Sequence, residues 1–293
     1  MAFWQLTVPT SPETTEGLTN FLWEQGALGV VEEEGPLAPA RLRAFFPDSA
    51  PSTDLVASVR EYAVGLCALG FSTAPGAVEI APLLEEAWAS AWQQSFPPRA
   101  VGRRLWVKPP WEAAESPGRV TVVIEPGRAF GTGHHGSTEG CLALLDESIV
   151  DMGPDRVLDI GTGTGILAVA AVKLGAGHVV AVDVDPDAVA AARVNATRND
   201  CADRIDLVMA GPESLREVRP FPLVVANLLA HTHLALAPHY RRLTAAGGTL
   251  ILGGILEHED HDVIAALEAA GFAPLGRLVV EGWSSLLLEA TAA

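Results

Sequence analysis

Two acidic residues bracket a run of glycines in the middle of this chain. Asp159 stands inside a short apolar run, Val157-Leu158-Asp159-Ile160. Gly161, Gly163 and Gly165 follow at alternate positions, with Thr162 and Thr164 between them, and Asp183 closes a second apolar run from His178 to Val182. Glycines let the backbone turn tightly and let a ligand approach it without Cβ obstruction. The helix that follows offers unpaired N–H groups at its start. An acid at the end of the next strand stands where ribose hydroxyls need an acceptor. The spacing is DxGxGxG, not the GxGxxG of a dinucleotide fingerprint. A carboxylate two residues before the first glycine repels a pyrophosphate. It suits a ligand with a positive end, such as the amino and sulfonium groups of S-adenosylmethionine. The bland alternative is a plain strand–turn–helix connection with surface carboxylates.

Two further stretches carry polar chemistry. Glu125 to Thr138, EPGRAFGTGHHGST, is a glycine-rich loop with Arg128, Phe130, His134, His135 and three hydroxyl residues. It precedes the Asp159 strand, so in a doubly wound sheet it lies across the carboxyl ends of the strands. This predicts a lid over a bound cofactor. Adjacent histidines point in different directions, and no ligand set stands at a metal-binding spacing, so no metal is expected. Asn227 ends the apolar run Pro222 to Ala226, and its amide can both accept and donate a hydrogen bond beside the same crevice. Its rival role is a cap for the next helix. His231, His233 and His239 read as helix and surface histidines, and Ala210 to Glu213 as a loop on which an adenine can rest.

The elements that must position these groups alternate. Strands are predicted over Val157–Ile160, His178–Val182, Ile205–Met209, Pro222–Ala226 and Thr249–Leu252, and helices over Thr138–Ile149, Ile166–Leu174, Pro186–Asn199, Pro238–Leu243 and Glu257–Ala270. Pro274–Glu281 and Trp283–Ala290 form a closing antiparallel pair. Strands at Leu105–Lys108 and Val120–Glu125 are expected to pair as a hairpin. The first 81 residues read βαββαβ, the ferredoxin-like order. Pro82 to Phe96, with Leu84, Trp88 and Trp92 four residues apart, reads as a connector helix. The expected division is a small domain over 1–81, a connector over 82–98 and a catalytic domain over 99–293.

Composition bounds the partners. The 293 residues are 49% hydrophobic and 19% charged, with a net charge of −17. Such a charge disfavours direct binding of nucleic acid and favours a basic partner by electrostatic steering. Three scattered cysteines suggest neither a disulfide framework nor a metal site. The start has no signal-peptide pattern, and no apolar run approaches a membrane span. A cytoplasmic monomer is the expectation.

Four of these segments, LDIGTGTGILAVAAVKLGA, AVDVDP, VIEPGRAFGTGHHGST and VVANLLA, together resemble the PrmA family, the methyltransferases of large-subunit ribosomal protein eleven. The resemblance runs from about Leu83 to the C-terminus. It is most specific in the lid and in Asn227-Leu228-Leu229-Ala230. It implies an α/β chain: a class I Rossmann-like methyltransferase domain, with a mostly parallel seven-stranded sheet and helices on both faces, preceded by a ferredoxin-like domain that recognises substrate. It implies S-adenosyl-L-methionine as cofactor, held by Thr138, Gly161, Gly163, Asp183 and Asn227, with Asn227 also beside the reacting methyl. The implied reaction is methylation of lysine side-chain and N-terminal amines of a basic ribosomal protein. Other readings are a methyltransferase of another protein lysine, of the electron-transfer flavoprotein type, one acting on a small-molecule amine, and a cofactor-binding module without turnover. Gly136 and Ser137 depart from the family's bulkier or threonine residues.

Overall fold

The computed structural model describes the chain outside residues 1–2, 12, 28, 36–37, 48–49, 51, 72–76, 84–95, 127–130, 132, 217 and 292–293. The connector-helix residues Leu84, Trp88 and Trp92, and Arg128 and Phe130 of the expected lid, lie outside the described residues. The chain divides into two compact units, residues 1–96 and 97–293.

In the first unit the elements are β1 (Phe3–Pro9), α1 (Thr15–Glu24), β2 (Gly29–Gly35), β3 (Ala38–Pro47), α2 (Ser52–Ala68) and β4 (Glu79–Leu83). This is the βαββαβ order read from the sequence. The strands form one antiparallel sheet in the order β2-β3-β1-β4. Alternation selects the inner face: Trp4, Leu6 and Val8 of β1 and Leu42, Ala44 and Phe46 of β3 are buried together with Leu18 and Leu22 of α1 and Leu55 and Val59 of α2.

The second unit opens with β5 (Arg99–Val101), β6 (Leu105–Lys108) and β7 (Val120–Val123) in a three-stranded sheet. Here the hairpin expectation fails. β6 and β7 are parallel neighbours, and the antiparallel partner of β6 is β5. Residues 109–119 carry the chain back across the sheet before β7 begins. That return is pinned by the Trp106 indole, which donates to Ala114 O at 3.0 Å, and by an ion pair between Lys108 and Glu115.

The remainder runs α3 (Gly136–Met152), β8 (Arg156–Ile160), α4 (Ile166–Leu174), β9 (His178–Asp183), α5 (Pro186–Arg198), β10 (Ile205–Met209), β11 (Phe221–Asn227), α6 (Ala230–Leu243), β12 (Thr244–Leu256), α7 (Asp260–Ala269), β13 (Phe272–Val280) and β14 (Trp283–Ala290). The strands form a seven-stranded sheet in the order β10-β9-β8-β11-β12-β14-β13. The first five are parallel neighbours, and β14 is antiparallel to both β12 and β13. Both faces are covered, so the central strands are continuous apolar runs. Val157, Val225 and Ile251 face α3 and α4, while Leu158, Val224 and Leu252 face α6 and α7.

α6 is longer than its predicted span 238–243. It begins at Ala230 and carries Pro238 inside it. A proline removes the bond to the carbonyl four residues back. That residue, Leu234, is on the exposed face of the helix.

Candidate cofactor and active site

The strand order reverses at β8: the chain moves outward through β9 and β10 on one side and returns through β11 on the other. Crevices outside the carboxyl ends of parallel strands at such a switch point are where this architecture binds ligands. Gly161 follows β8, Asp183 ends β9 and Asn227 ends β11, so the sequence-predicted residues stand around that point.

The glycine loop needs its glycines. Gly161, Gly163 and Gly165 have φ of 73°, 54° and 81°, in the left-handed region that side chains rarely adopt. A Cβ on Gly161 would also lie 2.5 Å from Leu228 Cδ2, which brings the loop against the segment after β11. Asp183 closes the loop from the other side. Its Oδ2 accepts from Gly163 N at 2.9 Å and its Oδ1 from Asp185 N at 3.0 Å. Asp159 is fully buried beneath the loop. Its Oδ2 accepts from Thr162 Oγ1 at 2.6 Å, while Oδ1 has no hydrogen-bond partner among the described residues. Burial, reinforced by the nearby Asp183, pushes this carboxyl up to about 7 against the opposing Thr162 bond.

The start of α3 faces the tip of β11. His135 caps α3, and Ser137 and Thr138 in its first turn are fully buried. Asn227 Nδ2 donates to Thr138 Oγ1 at 3.2 Å, and Asn227 Oδ1 is buried with no partner among the described residues. Asn227 does not cap α6: the cap is Leu229, which makes no side-chain bond. The unusual Gly136 has a steric cause. A Cβ there would lie 2.5 Å from Val280 O. Thr138, Gly161, Gly163, Asp183 and Asn227 therefore form a connected set. Gly163 is bonded to Asp183, Gly161 lies against Leu228, and the neighbour of Leu228, Asn227, is bonded to Thr138.

Sequence reasoning missed three supports of this set. Asn195 on α5 is buried; its Nδ2 donates to Thr164 O and its Oδ1 accepts from Glu125 N, both at 2.9 Å. It thereby ties the glycine loop to the chain leaving β7. The available signal was its place on the buried stripe of Ala188, Ala192, Asn195 and Ala196. Thr164 donates to Gly131 O and ties that residue to the glycine loop. His233, expected at the surface, is fully buried. Its spacing with Ala230, Ala237 and Tyr240 on the inner face of α6 was the missed signal. Val184 and Met209, 73% and 63% exposed, stand at the strand tips beside Asp183, and Met209 pairs with Asp183 in the β9–β10 register.

These observations fit a cationic nucleoside cofactor. Asp159 offers a spare buried carboxylate oxygen, the loop offers backbone bare of Cβ atoms, and Asp183 offers a carboxylate at the second strand tip. Among the described residues no cluster of His, Cys, Asp or Glu is suited to a metal ion, and no helix is long and apolar enough to cross a membrane. Fold and site together define a class I Rossmann-like methyltransferase.

Comparison with known proteins narrows the class. The family model for ribosomal protein L11 methyltransferase (PrmA) matches residues 2–291. The ribosomal protein L11 methyltransferase of Pelotomaculum thermopropionicum is 38% identical, with 98% of each chain covered. That of Cupriavidus necator is 34% identical, covering 98% of this chain and 97% of its own. The crystal structure of the ribosomal protein L11 methylase from Lactobacillus delbrueckii subsp. bulgaricus superposes with a TM-score of 0.61 at 29% identity, over 67% of this chain and 99% of that one. The chain belongs to the PrmA family of ribosomal protein L11 methyltransferases.

Proposed function

We propose that this protein transfers methyl groups from S-adenosylmethionine to lysine side-chain and N-terminal amines of the large-subunit ribosomal protein L11. The observation that carries the reading is the junction of two unlike halves in one crevice: the carboxylates of Asp159 and Asp183 around the glycine loop, and the neutral Asn227–Thr138 pair beside it. S-adenosylmethionine, when bound, supplies a methyl group already activated by its sulfonium. What remains for the chain is positioning and exclusion of water.

Asp159 would meet the positive end of the cofactor with its spare oxygen. Asp183 would accept from the ribose hydroxyls, and Val184 and Met209, exposed at the strand tips, would offer apolar surface to the adenine. The amine must arrive neutral, although a free lysine has a pKa of roughly 10.4. Asn227 and Thr138 carry no charge that would hold the ammonium form, and burial against them favours the free amine. The unpartnered Asn227 Oδ1 would accept one N–H of that amine and so orient its lone pair. The surplus proton that the nitrogen would carry once it had taken the methyl from sulfur would leave to solvent. The first unit presents the substrate. Its 96 residues hold twelve Asp and Glu against three Arg and no Lys, which suits a basic ribosomal protein. The protein would act in the cytoplasm, where ribosomal proteins are made, and as a monomer.

Incubation of purified L11 with enzyme and cofactor, followed by intact-mass and peptide mass spectrometry, tests the reading. Mass increments of 14 Da on lysine or N-terminal peptides are expected. An unchanged L11 mass, with the cofactor shown to bind, would overturn the substrate.

A further inference from the structure

We infer that His233 is a positioning residue for methyl transfer: it fixes the Gly253–Gly254 bulge of β12 and, through it, the amide of Asn227. The inference rests on the role proposed above for Asn227.

The ring makes two bonds. His233 Nε2 lies 2.8 Å from Gly253 O, and Nδ1 lies 2.8 Å from the Tyr240 hydroxyl. A carbonyl only accepts, so Nε2 carries the hydrogen and Nδ1 accepts from Tyr240. Both residues are fully buried, which keeps the imidazole neutral in that single tautomer. Burial lowers its pKa to about 4.

The segment it holds is a bulge inside β12, which pairs with β14 on either side of it, at Leu252 and again from Ile255. Gly253 pairs with Asn227 across the β11–β12 ladder. On the other side the β12–β14 register shifts between Leu252 and Ile255, so Gly253 and Gly254 fall in the irregularity. Gly254 has a φ of 77°. Two glycines in a bulge are pliable backbone. The Gly253 carbonyl is anchored by Leu228 N at 3.1 Å and by His233. This pair is also the wall behind the Asn227 amide. A Cβ on Gly253 would lie 3.2 Å from Asn227 Oδ1, and one on Gly254 3.0 Å from the same atom. Thr138 holds the nitrogen end of the Asn227 amide, and the glycine pair sets where the oxygen end can lie. A shift of this bulge therefore moves the acceptor that orients the substrate amine. Asp183, on β9 beyond β8, bonds to neither glycine of the bulge and stays in place.

The test is steady-state kinetics on L11, with turnover counted per S-adenosylhomocysteine-binding site by calorimetry. Counting sites removes any unfolded fraction. His233→Phe should lower kcat about tenfold or more, by analogy with other groups that orient a reacting centre, while KM for L11 and the Kd for S-adenosylhomocysteine stay within about twofold. His233→Gln keeps a donor in reach of Gly253 O and should recover part of that loss. Tyr240→Phe, which only frees the tautomer, should lower kcat about threefold. The double variant Asn227→Ala/His233→Phe should be no slower than Asn227→Ala alone, because both act through one amide. If His233→Phe loses thermal stability but keeps kcat per binding site, while Asn227→Ala is slow, the positioning role is overturned and the Asn227 reading stands. If Asn227→Ala itself keeps full turnover, both fall.

Discussion

Around the glycine loop the polar groups are acids, Asp159 beneath and Asp183 across it, whereas around the tip of β11 they are neutral, Asn227 bonded to Thr138 with His233 behind Gly253. Each half is built for the charge it must receive. A permanently cationic cofactor is drawn by carboxylates, and one of them, Asp159, is buried where Coulomb attraction is least screened. A lysine must shed its charge before it can react, and a carboxylate beside it would oppose that. The contrast teaches that the strand tips are divided by β8 into a binding side and a chemical side. Substitutions should therefore separate affinity from turnover according to the side on which they fall.

The largest separation is expected at Asn227. Asn227→Ala removes the acceptor for the amine and the bond to Thr138. Loss of one preorganised polar group at a reacting centre typically lowers turnover about 10²- to 10³-fold. Cofactor affinity should change far less, and calorimetry with S-adenosylhomocysteine beside a methyl-transfer assay reads both. Full activity would erase the distinction between the two sides. Asp183→Ala is the mirror case. It removes a charged acceptor whose hydrogen bonds are worth roughly 1.5–3 kcal/mol. Cofactor affinity should fall about ten- to a hundredfold, with kcat at saturating cofactor nearly kept. A variant that binds as well as the parent but turns over slowly would place Asp183 on the wrong side of the division. Gly161→Ala tests the boundary itself. Its Cβ meets Leu228, one residue from Asn227, at a φ of 73°, so affinity and turnover should both drop, with a melting temperature lower by several degrees for about 1–2 kcal/mol of strain.

The binding side was the more legible in the sequence. DxGxGxG and the distant Asp183 are local patterns, and α4 is an apolar run between Gly165 and Gly175. The chemical side depends on partners far apart in the chain. Asn227 meets Thr138 eighty-nine positions away, and His233 meets Gly253 twenty away. No periodicity announces such a contact. Reading Pro238 as a helix start hid the first two turns of α6 and, with them, the burial of His233. The parallel pairing of β6 and β7 was hidden for a similar reason: two short strands in succession read as a hairpin, and only the course of residues 109–119 shows otherwise. Asn195, inside the predicted helix Pro186–Asn199, joins the loop to Glu125, just beyond β7 and seventy positions away.

The smallest effect per step, but the one with opposite signs on the two sides, is the response of stability to pH. On the binding side burial raises the folded pKa of Asp159 to about 7, well above the ordinary carboxylate range. The folded state therefore holds its proton while the unfolded state releases it. Between pH 4 and 7 this group lowers the stability of the cofactor-free protein as pH rises, by at most about 1.4 kcal/mol per unit. On the other side His135 and His233 have folded pKa values lowered to about 4 by burial. Below about 6.5 the unfolded state takes up their protons and the folded state does not, so each makes stability fall as pH drops toward 4. The slopes oppose one another between pH 4 and 6.5, and only Asp159 acts between 6.5 and 7. Asp159→Asn removes one sign and leaves the other. Its melting temperature relative to the parent should thus climb from pH 4.5 to pH 7 and level off above, when both are measured without cofactor. Saturating S-adenosylhomocysteine, whose ammonium can face the carboxylate, should shrink that climb. A difference that is flat across the range would mean that Asp159 is ionised in the folded protein throughout, with its spare oxygen already satisfied.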